Sequence, residues 1–273
     1  MEPTVTIYLG YLASIFMGLV LGTLGGGGSI LTVPILVYLF KLNPIQATTY
    51  SLFVVGSTAL FGGLGYYKKN EVDFKTGAIF AIPSFFGVTF SRGYLVPNLP
   101  DPILTVGNTV ISKPLFMMAV FSILMVLASI SMIKTQKDNS RKEISATKKL
   151  FLISLQGLFV GCITGFVGAG GGFLIIPALV LLVGLAMKTA VGTSLFIIAA
   201  NSLIGFLSGI RKEAFIDWKL LLSVSAVAFL GLLLGLKISD KIPQKNLKKG
   251  FGYFVLIMGT FILIDQIKNL LAV

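Results

Sequence analysis

GTLGGGGSILTVPIL, Gly22 to Leu36, and GFVGAGGGFLIIPAL, Gly165 to Leu179, are two versions of one stretch. Gly22 aligns with Gly165, Gly25 with Gly168, Gly27 with Gly170, Gly28 with Gly171 and Pro34 with Pro177, each pair 143 residues apart. The chain is therefore two related halves, and each interrupts a hydrophobic run with a glycine cluster at the same point. Matching interruptions in two repeats are the sequence signature of a membrane transporter's binding site.

Outward from this stretch, the composition agrees. The 273 residues are 55% hydrophobic and 12% charged, with a mean hydropathy of +0.95. A soluble domain averages about 25% charged residues. Apolar runs near or above about 18 residues recur along the whole length, the mark of a polytopic helical membrane protein. MEPTVTIYLGYL at the start has no basic residue before its apolar run, which argues against a cleaved signal peptide. The single Cys162 excludes an intrachain disulfide and a cysteine metal cluster, and reads as a small buried hydrophobe.

A net charge of +12 raises the question of nucleic acid, but its distribution answers no. The basic residues fall in short clusters between apolar segments: Lys68–Lys69, Lys134–Lys149, Arg211–Lys212 and Lys237–Lys249. That is the pattern of cytoplasmic loops, and Tyr66, Tyr67 and Trp218 nearby read as interfacial anchors.

Five hydrophobic segments are expected per half, roughly 5–24, 29–40, 46–67, 74–91 and 114–133, then 150–167, 172–186, 189–210, 215–236 and 250–267. The second of each set is short for a crossing at about 1.5 Å per residue. Segments one and two together are too long for a single crossing, so the glycine cluster is where the chain turns back. Charge supports this hairpin. With the loop 134–149 inside, hairpins place fifteen of the 22 basic residues inside and seven outside. A single crossing through residues 5–40 spreads them far more evenly. Five segments per half is an odd number, so the halves insert with opposite orientation. The expected fold is an all-α polytopic membrane protein of two inverted-topology repeats, each a glycine-broken hairpin followed by three membrane helices. The expected division is a first repeat 1–133, a basic cytoplasmic linker 134–149 and a second repeat 150–273, with both termini outside.

The repeat extends past the glycines. Ser51-Leu52 matches Ser194-Leu195 at the same offset, and Val72-Asp73-Phe74-Lys75 resembles Ile216-Asp217-Trp218-Lys219 one residue later. These Asp-aromatic-Lys elements are either helix starts and anchors or parts of a gate. At these residues the chain resembles the TauE/SafE family, membrane permeases of the sulfite-exporter or four-toluene-sulfonate-uptake type. The resemblance rests on the two glycine segments, on AVGTSL from Ala190 to Leu195, and on RGYLVPNLPDPILTVGNTVISK from Arg92 to Lys113. It covers nearly the whole chain. It implies about eight membrane helices in two repeats, a cell-membrane location, and transport of sulfite, sulfonates or other sulfur-containing anions. The first half reads ATTYSL, Ala47 to Leu52, where the second reads AVGTSL, so the two halves make different contacts.

An anion site also follows from the residues themselves. The ten acids are Glu2, Glu71, Asp73, Asp101, Asp138, Glu143, Glu213, Asp217, Asp240 and Asp265; none is mid-segment, and there is no His. A cation site or an embedded proton relay normally needs such groups. The apolar segments instead carry glycines, hydroxyls and broken helix ends. Gly26, Gly27, Gly28 and Ser29, with Gly170, Gly171 and Gly172, expose backbone N–H groups at helix starts, where the dipole favours anions. Glycine lets an anion approach the backbone closely. Ser51, Thr193, Ser194 and Asn201 would add donors from the next segment.

Each of these residues has a plainer reading. Glycines four apart, Gly18/Gly22, Gly161/Gly165 and Gly231/Gly235, suit close helix packing. Ser51, Thr193 and Ser194 can bond back to a carbonyl of their own helix. Asn201 can bridge two helices. Arg92, at a segment end, is either a solvated anchor or an attractor of anions at the outer mouth. Pro34 and Pro177 lie beyond a first helical turn, so each short helix is expected to kink or begin late.

Three function classes follow. A secondary carrier of a small sulfur-containing anion such as sulfite, thiosulfate or an organosulfonate, by alternating access, fits best; an anion channel could use the same neutral donors. An enzyme is disfavoured, for want of His, embedded carboxylates and metal-ligand clusters. The expected partners are the anion, the lipid bilayer and a proton or cation moving with the anion; no cofactor, metal or nucleic acid is expected. The sequence leaves direction, coupling ion and oligomeric state open.

Overall fold

A computed structural model describes residues 3–106, 109–134, 146–167, 171–210 and 216–271. In chain order, α1 (Pro3–Leu24) is followed by α2 (Gly27–Pro34), which widens into a π-helical turn at Ile35–Leu39. Next come α3 (Pro44–Tyr67) and α4 (Phe74–Phe90), the latter continuing through a π turn at Ser91–Leu95 into α5 (Val96–Asn98). A two-stranded hairpin, β1 (Leu104–Val106) and β2 (Thr109–Ile111), leads to α6 (Lys113–Ile133). The second half has α7 (Ala146–Val167), α8 (Gly172–Pro177) with a π turn at Ala178–Val183, α9 (Met187–Ile210), α10 (Trp218–Lys241) and α11 (Gln244–Leu271).

Seven of these helices are long and apolar enough to cross a membrane: Val5–Leu24, Pro44–Tyr67, Phe74–Asn98, Lys113–Ile133, Met187–Gly209, Trp218–Lys241 and Gln244–Lys268. Shorter apolar helices run over Gly27–Leu39, Leu150–Phe166 and Leu174–Val183. Large apolar side chains on the long helices, among them Phe16, Ile82, Phe86, Leu127, Leu230 and Ile257, point outward and exposed, as lipid-facing surface does. The chain is a nearly all-helical multi-pass membrane protein.

Three local features depart from expectation. The antiparallel hairpin, with Leu104 opposite Ile111, interrupts the all-helical pattern inside the loop that follows Arg92. α7 begins at Ala146, inside the stretch expected to be linker, because Ala146 to Lys149 continue the helix; residues 135–145 lie outside the described residues. The short helices neither begin late nor simply kink. Each runs as α-helix to its proline and then as a π turn, with Phe40 N–H donating to Ile35 O at 3.2 Å and Gly184 N–H to Leu179 O at 3.0 Å. Proline lacks an N–H and crowds the carbonyl four residues back, so a wider turn relieves both halves in the same way.

The halves correspond element by element. α1 (3–24) and α7 (146–167) differ by 143 residues at both ends, as do α3 (44–67) and α9 (187–210). Their contacts are reciprocal: α1 packs on α10 and α7 on α4, while α3 packs on α9, α6 on α11 and α2 on α8. Glycine ladders set the α1–α10 and α4–α7 spacings. A methyl group added at Gly18 would stand 1.9 Å from Ala228 O, and one at Gly231 the same distance from Ile15 O. At Gly157 and Gly161 it would stand 2.3 Å from Phe80 O and 2.2 Å from Ser84 O. In a bilayer, where helix association gains little from the hydrophobic effect, such close backbone approach is what holds helices together.

Helix starts are capped alike. Asp73 accepts from Thr76 N–H at 3.0 Å at the head of α4, and Asp217 accepts from Leu220 N–H at 2.9 Å at the head of α10. Asn43 caps α3 by accepting from Ile45 N–H, with Pro44 at the first helical position. Each such cap contributes about 1 kcal/mol.

Candidate functional site

The two glycine interruptions meet. α1 ends at Leu24, Gly25 turns the chain with φ +64°, Gly26 is the N-cap and α2 begins at Gly27. In the second half Gly171 turns the chain with φ +68° and is itself the N-cap of α8. Both turns need the left-handed conformation that glycine adopts without strain. A methyl group on Gly26 would stand 2.2 Å from Gly172 Cα, and one on Gly172 would stand 2.1 Å from Gly26 Cα. Bare backbone therefore touches bare backbone between the halves, and in this arrangement no anion fits between these two residues. Gly170 lies outside the described residues.

α9 lines this junction. The position a side chain on Gly25 would occupy is 3.2 Å from Ser194 Oγ and 3.0 Å from Val191, while that on Gly172 is 2.6 Å from Ile198. At Gly171 the added atom would fall 1.8 Å from Thr164 Oγ1 of α7, a fully buried hydroxyl with no hydrogen-bond partner among the described residues. At Gly27 it would meet only the Phe251 ring, at an ordinary 3.4 Å, and at Gly28 it would collide with Leu21 backbone at 2.5 Å. Thus Gly26, Gly28, Gly171 and Gly172 are needed for backbone approach, whereas Gly27 is not.

The first N–H groups of a helix lack partners within it. Here Gly28 and Ser29 N–H bond back to Gly25 and Gly26 carbonyls, both at 3.2 Å, and Ser29 Oγ donates to Gly26 O at 2.6 Å. In the second turn Leu174 N–H donates to Gly171 O at 2.9 Å. Both turns are closed by their own bonds. Tyr66, expected as an interfacial anchor, is instead fully buried: its hydroxyl donates to Gly22 O at 3.0 Å and lies 2.7 Å from Ser239 Oγ. It supplies a donor to the carbonyl-rich end of α1 that the glycine break leaves open. Tyr67 and Trp218 do sit half-exposed, as anchors do.

The other candidates separate. Ser51 Oγ donates to Thr48 O at 2.9 Å and Ser194 Oγ to Val191 O at 2.8 Å, both within their own helices. Thr193 acts elsewhere, since its hydroxyl accepts the Asp73 N–H at 2.8 Å. That bond lies beside a cavity of about 190 Å³ lined by Val72, Asp73, Phe74, Gly77 and Phe196. Asn201 Nδ2 donates to Ser84 Oγ at 2.6 Å and so bridges α9 to α4, while its Oδ1 is buried without a partner among the described residues.

Two functional-looking residues lay outside the sequence-derived set. Thr164 was masked because a threonine in an apolar run is unremarkable. Arg92, a solvated anchor or outer-mouth attractor by its position at a segment end, is 6% exposed. The π turn at Ser91–Leu95 extends α4 past that point and brings Arg92 inside the span Phe74–Asn98.

Two broken helices meeting inside a bundle of membrane-crossing helices define a multi-pass transporter fold. The sulfite exporter TauE/SafE family model matches residues 10–262, so the chain belongs to that family of membrane transporters. It is 26% identical over 261 residues to a probable membrane transporter protein of Xylella fastidiosa, covering 94% of each chain. It is 26% identical over 278 residues to the probable membrane transporter protein YunE of Bacillus subtilis, covering 95% of this chain and 99% of that one. A sulfite exporter TauE/SafE family protein 5 of Arabidopsis thaliana is 24% identical over 120 residues, 44% of this chain and 27% of its own. No solved structure matches the chain significantly.

Proposed function

We propose that this protein is a secondary transporter, not an enzyme, that exports a small sulfur-containing anion such as sulfite, thiosulfate or an organosulfonate by alternating access. The carrying observation is the backbone contact of Gly26 with Gly172, which joins the matching breaks of two repeats. The anion binds there when the turns part. Backbone N–H groups around Gly26–Ser29 and Gly170–Gly172 face it, and the hydroxyls of Ser51, Thr193 and Ser194 and the Asn201 amide swing from their present bonds to add donors. Neutral donors offset the desolvation of the anion without holding it too tightly to leave. Closed turns suit a carrier better than an open channel, because a channel needs a continuous path.

The two repeats, 1–133 and 150–273, insert in opposite orientation around the linker 134–149. What supports this is the reciprocal packing of α1 on α10 and α7 on α4, together with the charge asymmetry of the loops. Rocking of one half against the other then exposes the glycine junction to each side in turn. A proton or cation moving with the anion supplies the drive.

The test is reconstitution. Purified protein in proteoliposomes should move at least one of sulfite, thiosulfate and methanesulfonate with saturating kinetics. The same anion should raise the thermal midpoint of the protein in detergent, because binding to the folded state stabilises it. Flux that rises linearly with concentration and never saturates would favour a channel, and no flux or stabilisation with any of the three would overturn the proposal.

A further inference from the structure

Arg92 is the single Lys, Arg, Asp or Glu side chain among the described residues that is buried. It lies inside the candidate span Phe74–Asn98. Removing a guanidinium from water costs several kcal/mol, so an ionisable side chain inside a membrane span marks function by default. Its placement is specific. It sits on a π turn, a geometry concentrated at functional sites. Its neighbour Ser91 donates to Cys162 O at 2.7 Å, and a methyl group on Gly165 would stand 2.9 Å from Ser91 Cβ. The π turn is thereby seated on the last turns of α7, next to Thr164, whose buried hydroxyl faces the Gly171 turn. On the other side it packs on α9, the helix of Ser194 and Asn201.

We infer that Arg92 is the charged contact of the transported anion, gripping two oxygens of a sulfur oxyanion at the Thr164–Gly171 side of the junction. This rests on the anion-transporter reading above and goes beyond its neutral donors. The buried atoms of Arg92 include Nε and Nη2, which form one edge of the guanidinium. That edge matches two oxygens of a tetrahedral or pyramidal oxyanion with two parallel N–H···O bonds. The remaining oxygen is left for the Thr164 hydroxyl and a glycine N–H. Sulfite, sulfonates and thiosulfate carry the required oxygens. A halide has a single centre and cannot use both N–H groups, so the edge selects for shape as well as charge.

The chain has three arginines, Arg92, Arg141 and Arg211, so chemical modification can be read per residue. Wild type, Arg92→Lys and Arg92→Gln are purified and titrated with sulfite, thiosulfate, methanesulfonate and bromide while the thermal midpoint is followed. Phenylglyoxal modification of the wild type is mapped by mass spectrometry with and without each anion. The expected result is stabilisation of wild type by at least one sulfur oxyanion and roughly 100-fold weaker binding by Arg92→Gln, equivalent to about 2.7 kcal/mol. Arg92→Lys should bind sulfur oxyanions and bromide with similar weak affinity. Arg92 should be modified and protected by the oxyanion but not by bromide, with Arg141 and Arg211 unaffected. If instead both variants have lowered anion-free midpoints but wild-type affinity, and the oxyanion leaves Arg92 modification unchanged, the residue is structural and the inference is overturned alone. If wild type itself responds to no sulfur oxyanion, the transporter reading falls and this inference with it. Should the variants fail to fold, the protection experiment on wild type decides.

Discussion

The backbone N–H of Asp217 donates to the Tyr50 hydroxyl at 2.7 Å. Its counterpart, Asp73 N–H to Thr193 Oγ1 at 2.8 Å, repeats the bond with the halves exchanged. Tyr50 and Thr193 are 143 residues apart, and they are where the otherwise similar ATTYSL and AVGTSL stretches differ. A long phenol and a short hydroxyl thus do one job: each accepts from the aspartate that caps the fourth segment of the other half. In the inverted arrangement the two bonds lie on opposite membrane faces, which makes them a pair of latches.

Thr193→Val should cost about 1–2 kcal/mol, because it strands the Asp73 N–H against a buried residue. Thr193→Ser should stay near wild type. Tyr50→Phe should cost less, since Asp217 is exposed and water can replace the phenol. Denaturant unfolding in detergent, followed by circular dichroism, ranks the three. A Thr193→Val protein as stable as wild type would mean this bond is not holding the halves.

The glycine ladders make a sharper contrast. Gly18→Ala and Gly231→Ala each push a methyl group to 1.9 Å from a carbonyl oxygen of the facing helix. Forcing α1 and α10 apart should destabilise by about 1–3 kcal/mol or more, as overpacking does. Gly250→Ala, in α11, meets nothing within 4 Å and should instead stabilise by about 0.5–1 kcal/mol through helix propensity. Thermal midpoints should move in opposite directions, and a fall for Gly250→Ala would contradict the packing described here.

At the junction, Gly27→Ala is the discriminating change. The added methyl group finds ordinary contact with Phe251, so the protein should fold normally, yet it crowds the proposed anion. Sulfur-anion flux should fall at least tenfold with an unchanged anion-free midpoint. Gly26→Ala and Gly171→Ala should lose both flux and stability, the first through its collision with Gly172, the second through Thr164 and a φ of +68°. Ser194→Ala should weaken binding by about 1–2 kcal/mol if its hydroxyl turns to the anion. Wild-type flux in Gly27→Ala would place the anion elsewhere.

Topology is checked by cysteine labelling in a Cys162→Ser background. Single Glu2→Cys, Ser140→Cys and Ala272→Cys variants should react with an impermeant maleimide at the outside face for the first and third and at the inside face for the second. Position 2 reacting only from the cytoplasmic side would remove the opposite orientation of the halves.

The number and type of segments were legible because membrane crossing is a property of local composition: about 20 apolar residues span a bilayer whatever surrounds them. The repeat was legible because Gly28, Gly171, Pro34 and Pro177 recur at a fixed offset. The hairpin β1–β2 was not, since three-residue strands carry no periodicity to read.

Side-chain roles at the site divide along the same line. The sequence by itself determined that two glycine-broken helices exist, that they match, and that hydroxyls follow each at one interval, because these are spacings along one chain. Only the tertiary structure decided that Gly26 meets Gly172, that Thr193 serves Asp73, that Tyr66 closes the end of α1, and that Arg92 is buried. Each of those depends on a partner about 44 to 167 residues away or on how far a helix continues past its last apolar residue. A hydroxyl bonds whichever group the packed helices bring within about 3 Å, and helix packing is set by backbone approach at glycines whose facing partners the sequence does not name.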